Sequence, residues 1–294
     1  MSADTESAYR TPRGQQIVRD WCTRRLDRWP VSHRRRDLHT THGHTHLLTA
    51  GPATGPRTVV MIPGTSANAA TYLPLAEALA AHLPTVIADL PGQPGLSAPE
   101  RPRADRLTWY GHWLSEVLEA TGIDRAIVLG HSLGGAIALA CDSPRIAGRV
   151  LIAPGGLTRL RLGVATLAAT LAWMARPTPR TSAALVRRFL APGHTPPPDL
   201  AEWYTLIARH CRTTLAPPAL PAPLLARRRL VPALVATGEH DTFLPPRRLS
   251  PAAEALLNTG LRVIPDAGHL VTDEHPETVA ALVNELAGLP DPAP

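Results

Sequence analysis

From residue 58 onward, short and largely apolar runs alternate with stretches whose apolar positions recur every three or four residues. The runs 58–62, 85–88, 126–129, 150–153, 233–236 and 261–264 lack the polar alternation of a half-solvated strand. They predict strands covered on both faces. Between them, 107–118 sets Leu107, Tyr110, Leu114, Val117 and Leu118 on one helical side. The stretch 276–286 does the same with Val279, Leu282, Val283 and Leu286. There Pro276 suits the first turn, Glu277 the helix dipole and Gly288 the stop. Strands alternating with helices predict a mostly parallel α/β sheet with right-handed crossovers.

The flanks read differently. Residues 1–12 are polar and predict a frayed end. Residues 17–29 read as a helix ended by Pro30, and 33–38 with 44–48 as a hairpin around Thr41-His42-Gly43. With the hairpin the strand count is eight. The stretch 157–229 holds no strand pattern, three helix-like segments (162–174, 183–190 and 201–211) and ten prolines between Pro177 and Pro223. It predicts a helical cap, or lid, inserted into a core made of 1–156 plus 230–294.

Composition narrows the function classes. The chain has 294 residues, 44 % of them hydrophobic, which excludes bulk disorder, and its 32 prolines exclude a coiled coil. Cys22, Cys141 and Cys211 are odd in number and far apart, which fits neither a disulfide scaffold nor a metal motif. The formal charge is +6 and every basic residue is arginine. The arginines are scattered apart from Arg34 to Arg36 and Arg227 to Arg229, so no nucleic-acid partner is expected. The longest apolar run, 162–174, is shorter than the ~20 residues of a membrane span. The first 30 residues show no signal-peptide pattern, so the expected location is the cytoplasm.

One motif carries chemistry. Gly130-His131-Ser132-Leu133-Gly134-Gly135 follows an apolar strand and precedes a small-residue helix. That is the setting in which G-x-S-x-G presents a serine on a tight turn. The glycines remove side chains that would meet neighbouring backbone, and the helix amino end favours developing negative charge. A serine hydroxyl needs a base to become a nucleophile, and the base needs an orienting carboxylate. His269, in Asp266-Ala-Gly-His269, and Asp241, in Gly238-Glu-His-Asp241, each follow a strand, where open α/β sheets place their sites. The order is Ser132, Asp241, His269.

With these pieces the chain resembles the α/β-hydrolases. The matching segments are MIPGTSANA (61–69), DLPGQPGLS (89–97), GHSLGG (130–135), LVATGEHDTFLP (234–245) and PDAGHLVTDEHPETV (265–279). The resemblance implies an eight-stranded α/β-hydrolase fold with helices on both faces and a lid after the sixth strand. It implies Ser132 as nucleophile, His269 as general base and acid, Asp241 as orienting acid, and no metal or organic cofactor. It also implies an oxyanion hole from the backbone N–H groups of Leu133 and Thr65, with Pro63-Gly64-Thr65 standing where relatives often read His-Gly-x. The loop from Asp89 to Ser97 is one residue longer than the family's Asp-x-x-Gly-x-Gly-x-Ser pattern.

Rival residues have plainer readings. His131 is expected to form packing or pocket wall, His240 to be a loop residue, and Asp266 to shape a turn; Glu239 is the weaker rival to Asp241. His42, His44 and His46 alternate as zinc ligands on one strand face would, although a solvated hairpin is the expected role. Trp173, Met174, Trp203 and Tyr204 line an apolar pocket under the lid or form the lid's own core. Arg159, Arg161, Arg187 and Arg188 meet a negative group or face water. The expected function is hydrolysis of a carboxylic ester or related acyl compound (EC 3.1), with a small-molecule substrate bearing an apolar acyl or alcohol part. The alternatives are a lyase, C–C hydrolase, perhydrolase or carrier-chain thioesterase using the same triad, and a non-enzymatic ligand-binding homologue.

Overall fold

The computed structural model describes residues 5–212 and 216–288. Residues 1–4 of the stretch read as frayed, 213–215 of the cap and 289–294 of the core lie outside the described residues. The main sheet has eight strands, in spatial order Leu261–Ile264, Ala233–Gly238, Ile146–Ile152, Ala126–His131, Thr58–Ile62, Thr85–Ala88, Gly43–Ala50 and His33–Thr40. The first six pair in parallel, and the hairpin adds the two antiparallel strands.

The apolar runs of the central strands have a direct physical cause. Along each central strand, successive side chains enter two separate cores, one on each face. Val59 and Met61 join one and Val60 and Ile62 the other; Ile127 and Leu129 divide from Val128 in the same way. The first core is closed by helices Pro12–Asp27, Leu73–Ala80 and Pro276–Ala287. The second is closed by Arg106–Thr121, Leu133–Ala140, Ala222–Arg228 and Pro246–Leu257. Strand Thr58–Ile62 continues to Thr85–Ala88 on one side, whereas its other neighbour, Ala126–His131, continues outward to Ile146–Ile152. The chain therefore reverses its winding between these two central strands, and a crevice opens beyond their carboxyl ends.

Two regions differ from the sequence reading. Residues 5–12 are not frayed: strand Thr5–Ser7 pairs antiparallel with Glu100–Pro102, Ala8 and Tyr9 are buried, and the helix begins at Pro12 behind a Thr11 cap. Two apolar residues among polar neighbours anchor the segment without leaving a periodic signal. The stretch 157–229 divides in two. Helices Val164–Ala175, Pro179–Val186 and Pro198–His210 form a layer at the sheet's carboxyl edge. Helix Ala222–Arg228 packs on the core instead: Leu225 is fully buried there and the Arg228 Nε donates to the Leu139 carbonyl at 2.7 Å. Arg149 joins it, donating to the carbonyls of Ala138 and Cys141. These guanidinium groups satisfy the last carbonyls of the helix that starts at Ser132, where its dipole favours cations.

Candidate active site

Ser132 sits between strand Ala126–His131 and helix Leu133–Ala140 at φ 51° and ψ −110°, a conformation that residues other than glycine rarely adopt. Its neighbours explain how the turn closes. A Cβ on Gly134 would collide with the Ile62 carbonyl oxygen, and one on Gly130 would meet the backbone of Gly134. Glycine at both positions lets the helix approach the strand closely enough to hold the strained serine.

The three side chains named in the sequence meet here. The Ser132 Oγ lies 3.1 Å from the His269 Nε2, and the His269 Nδ1 lies 2.8 Å from the Asp241 Oδ2. The Asp241 side chain is fully enclosed. Burial alone would raise its pKa, yet it stays below the usual carboxylate value. The charge and hydrogen bond of His269 and the N–H groups of Leu244 and Phe243, each 2.8 Å from Oδ1, outweigh the burial. The Thr237 hydroxyl donates a further bond to Oδ2 at 3.0 Å. An ionised carboxylate then holds the imidazole with Nδ1 protonated and Nε2 free to receive the serine's proton.

The rivals lie elsewhere. Asp266 is mostly exposed in a turn at φ 50° and faces His194 at 3.1 Å. Glu239 and His240 are exposed. His42, His44 and His46 each face a different carboxylate, those of Glu116, Asp37 and Asp89. Among the described residues no cluster of three metal-ligating side chains occurs.

His131 takes a more specific place than pocket wall. Its Nε2 lies 2.9 Å from the His269 carbonyl oxygen, which can only accept, so Nε2 carries the proton. Its Nδ1 therefore accepts from the Tyr72 hydroxyl at 2.6 Å, and that oxygen accepts from the Gly64 N–H at 3.0 Å. Burial, followed by the nearby charge of His269, pushes the His131 pKa down to about 3, so the ring is neutral. A closed chain thus runs from the Pro63-Gly64-Thr65 loop to the backbone of His269. Tyr72 had no local signal in the sequence.

The Thr65 loop is held from two further directions. The Ser66 N–H donates to the Gln93 Oε1 at 3.0 Å, so the lengthened loop after Asp89 reaches this side of the site. The Ser66 carbonyl accepts from the Trp203 Nε1 at 2.8 Å. The N–H groups of Thr65 and Leu133 have no partner among the described residues. Leu133 follows Ser132 directly and Thr65 lines the same cavity as Ser132, which makes these two N–H groups the candidate oxyanion donors. Replacing Trp203 with phenylalanine keeps the ring stack on Trp21 but leaves the Ser66 carbonyl unpartnered, at a cost of about 1–3 kcal/mol. The expected result is a kcat roughly tenfold lower with KM nearly unchanged, read by steady-state ester kinetics beside a thermal melt.

A cavity of about 270 Å³ opens over Ser132. His131, Trp173, Met174, Trp203 and Tyr204 all line it, as do Leu185, Phe189 and Ile207, which the sequence reading left out. Phe189 also fixes the histidine loop, because its carbonyl accepts from the His269 N–H at 2.6 Å. Gly268 permits that approach: a Cβ there would strike the same carbonyl oxygen.

Asp273 is the one acid among the described residues of the cavity wall. Its carboxylate accepts a side-chain hydrogen bond from the Thr272 hydroxyl and has no other side-chain partner among the described residues. Burial pushes its pKa up from 3.8 to about 7. A raised carboxyl pKa destabilises the fold progressively as pH rises from the unfolded value to the folded one. Replacing Asp273 with asparagine should leave Tm unchanged near pH 4. It should raise Tm by a margin that grows to pH 7 and then levels off, as followed by calorimetry across that range.

Comparison with known proteins identifies the family and the fold. The model of the alpha/beta hydrolase family matches residues 59–282. An uncharacterised carboxylesterase of Bacillus subtilis is 30% identical over 110 residues, covering 37% of this chain and 36% of that protein. An uncharacterised Mycobacterium tuberculosis protein is 25% identical over 285 residues, covering 86% of this chain and 81% of its own. The crystal structure of carboxylesterase CesB of Bacillus subtilis superposes with a TM-score of 0.75 at 20% identity, covering 93% of this chain and 98% of that one. The strand order, the strained serine turn and the family match over most of its length together place this chain in the alpha/beta hydrolase family.

Proposed function

We propose that the chain is a serine hydrolase of carboxylic esters whose acyl or alcohol part is apolar. The observation that carries this reading is the unbroken line from the Ser132 Oγ through His269 to an ionised Asp241. The Ser132 oxygen attacks the ester carbonyl carbon while the His269 Nε2 takes its proton. The carbonyl oxygen gains the electron pair and is held by the N–H groups of Thr65 and Leu133. Collapse of the intermediate breaks the bond to the alcohol oxygen, which leaves with the proton from His269. Water then attacks the acyl-enzyme, gives its proton to His269, and releases the acid as Ser132 regains its own. Asp241 stays ionised throughout and balances the imidazolium. Trp173, Leu185, Phe189 and Ile207 give the substrate an apolar seat.

The relatives named carboxylesterase support the ester as the bond cleaved. The test is labelling with a fluorophosphonate followed by peptide mapping. Modification at Ser132, with turnover of short-chain p-nitrophenyl esters lost in proportion, is the expected result. A folded protein whose Ser132 stays unmodified overturns the proposal.

A further inference from the structure

The cap helix Val164–Ala175 is built the wrong way round for a water-soluble surface. Its inward positions are Thr166, Ala169, Thr170 and Trp173, following the helical period. Their polar atoms are engaged within the protein: the Thr170 hydroxyl on the Thr166 carbonyl at 2.8 Å, and the Trp173 Nε1 on the Tyr204 carbonyl at 2.9 Å. The outward positions are Val164, Ala165, Leu167, Ala168, Leu171, Ala172, Met174 and Ala175, without one polar side chain. Val164 is 86% exposed and Leu171 57%. Of seven large apolar side chains exposed among the described residues, five lie between 162 and 174. Soluble helices point their hydrocarbon inward, so this face lacks its partner.

Charge identifies the partner. Residues 143–198 contain eight arginines and no aspartate or glutamate, so the chain's whole net positive charge resides in this stretch. Arg159, Arg161, Arg176 and Arg180 bracket the helix, all exposed, and none has a carboxylate partner among the described residues. A second copy of the chain would bring two acid-free arginine surfaces together. An apolar strip with basic ends fits an anionic lipid surface, with the strip in the acyl boundary and the guanidinium groups at the headgroups. No helix among the described residues is long and apolar enough to cross a membrane. Lying in the interface plane needs no such length.

We infer that helix Val164–Ala175 docks the protein on an anionic lipid surface. Leu160, Thr170, Trp173 and Met174 of the same segment form wall of the cavity over Ser132. An amphiphile in the lipid layer then reaches the cavity without crossing bulk water. The docking is independent of the proposed chemistry, because binding is read without turnover.

The test is co-sedimentation with vesicles of phosphatidylcholine alone and of phosphatidylcholine with phosphatidylglycerol, at low and high salt. The full chain is expected to sediment with the anionic vesicles and to be released by salt. Val164→Ser, Leu167→Ser and Leu171→Ser combined should weaken partitioning by about tenfold or more, with circular dichroism unchanged. Arg159, Arg161, Arg176 and Arg180 replaced by glutamine should remove the preference for anionic vesicles. A wild-type protein that stays in the supernatant overturns the inference. So does a triple-serine variant that binds as well as wild type, or one that instead converts a dimer to a monomer in light scattering.

Discussion

Replacing Ser132 with alanine is expected to lower ester turnover by about 10⁴-fold or more, with Tm close to that of wild type. The size follows from the division of labour in the site. His269 and the backbone donors remain, but no oxygen is left to form the acyl-enzyme. Alanine must occupy the same φ of 51°, which serine already adopts at similar steric cost. Among the described residues the hydroxyl bonds only to the His269 side chain, so its removal breaks little else. Stopped assays of initial rate beside calorimetry check both halves. A folded variant retaining even a tenth of wild-type kcat would remove Ser132 from the nucleophile's role.

Asp241→Asn is expected to lower kcat by roughly 10³- to 10⁴-fold, and the surroundings of this carboxyl say why. One oxygen, Oδ1, accepts from the Phe243 and Leu244 N–H groups. An asparagine keeps those bonds only by placing its carbonyl oxygen there, which turns its NH₂ toward the His269 Nδ1. That nitrogen must then accept, so the proton moves to Nε2 and faces the serine. The base is present in the wrong tautomer. The asparagine also abolishes an acid-labile contribution. The depressed Asp241 pKa adds stability above its unfolded value that is lost as pH falls through the folded one. Wild type should therefore lose more Tm than the variant on acidification, and kcat should stay low at every pH in a rate profile.

Much of the fold was legible because burial on two faces leaves a mark. Thr58–Ile62 and Thr85–Ala88 appear in the structure with the bounds their composition predicts. Leu261–Ile264 also keeps its predicted bounds but is not covered on both faces: it is an edge strand with Arg262 and Val263 exposed. The meeting of Ser132, His269 and Asp241 was legible because each follows a strand on the same sheet edge. Helix Leu73–Ala80 escaped because it is apolar on nearly every side and shows no stripe. Helix Pro246–Leu257 escaped because Pro251 lies inside it and reads as a break. Tyr72, Gln93 and Asp273 come to the site only through tertiary packing, on loops and short turns with no periodicity. Their roles depend on atoms distant in the chain, which composition and spacing do not encode.

The N-terminal segment has a mechanical consequence for the helical layer over the cavity. Tyr9 bridges to Cys211, the Arg212 N–H donates to the Ala8 carbonyl at 2.8 Å, and Trp21 stacks on Trp203 with ring centroids 4.8 Å apart. These bonds rivet helix Pro198–His210 to the body of the protein. The outer helix Val164–Ala175 carries none of these rivets itself and is tethered to the riveted helix by the bond from the Trp173 Nε1 to the Tyr204 carbonyl, so an opening between these two helices must break that bond.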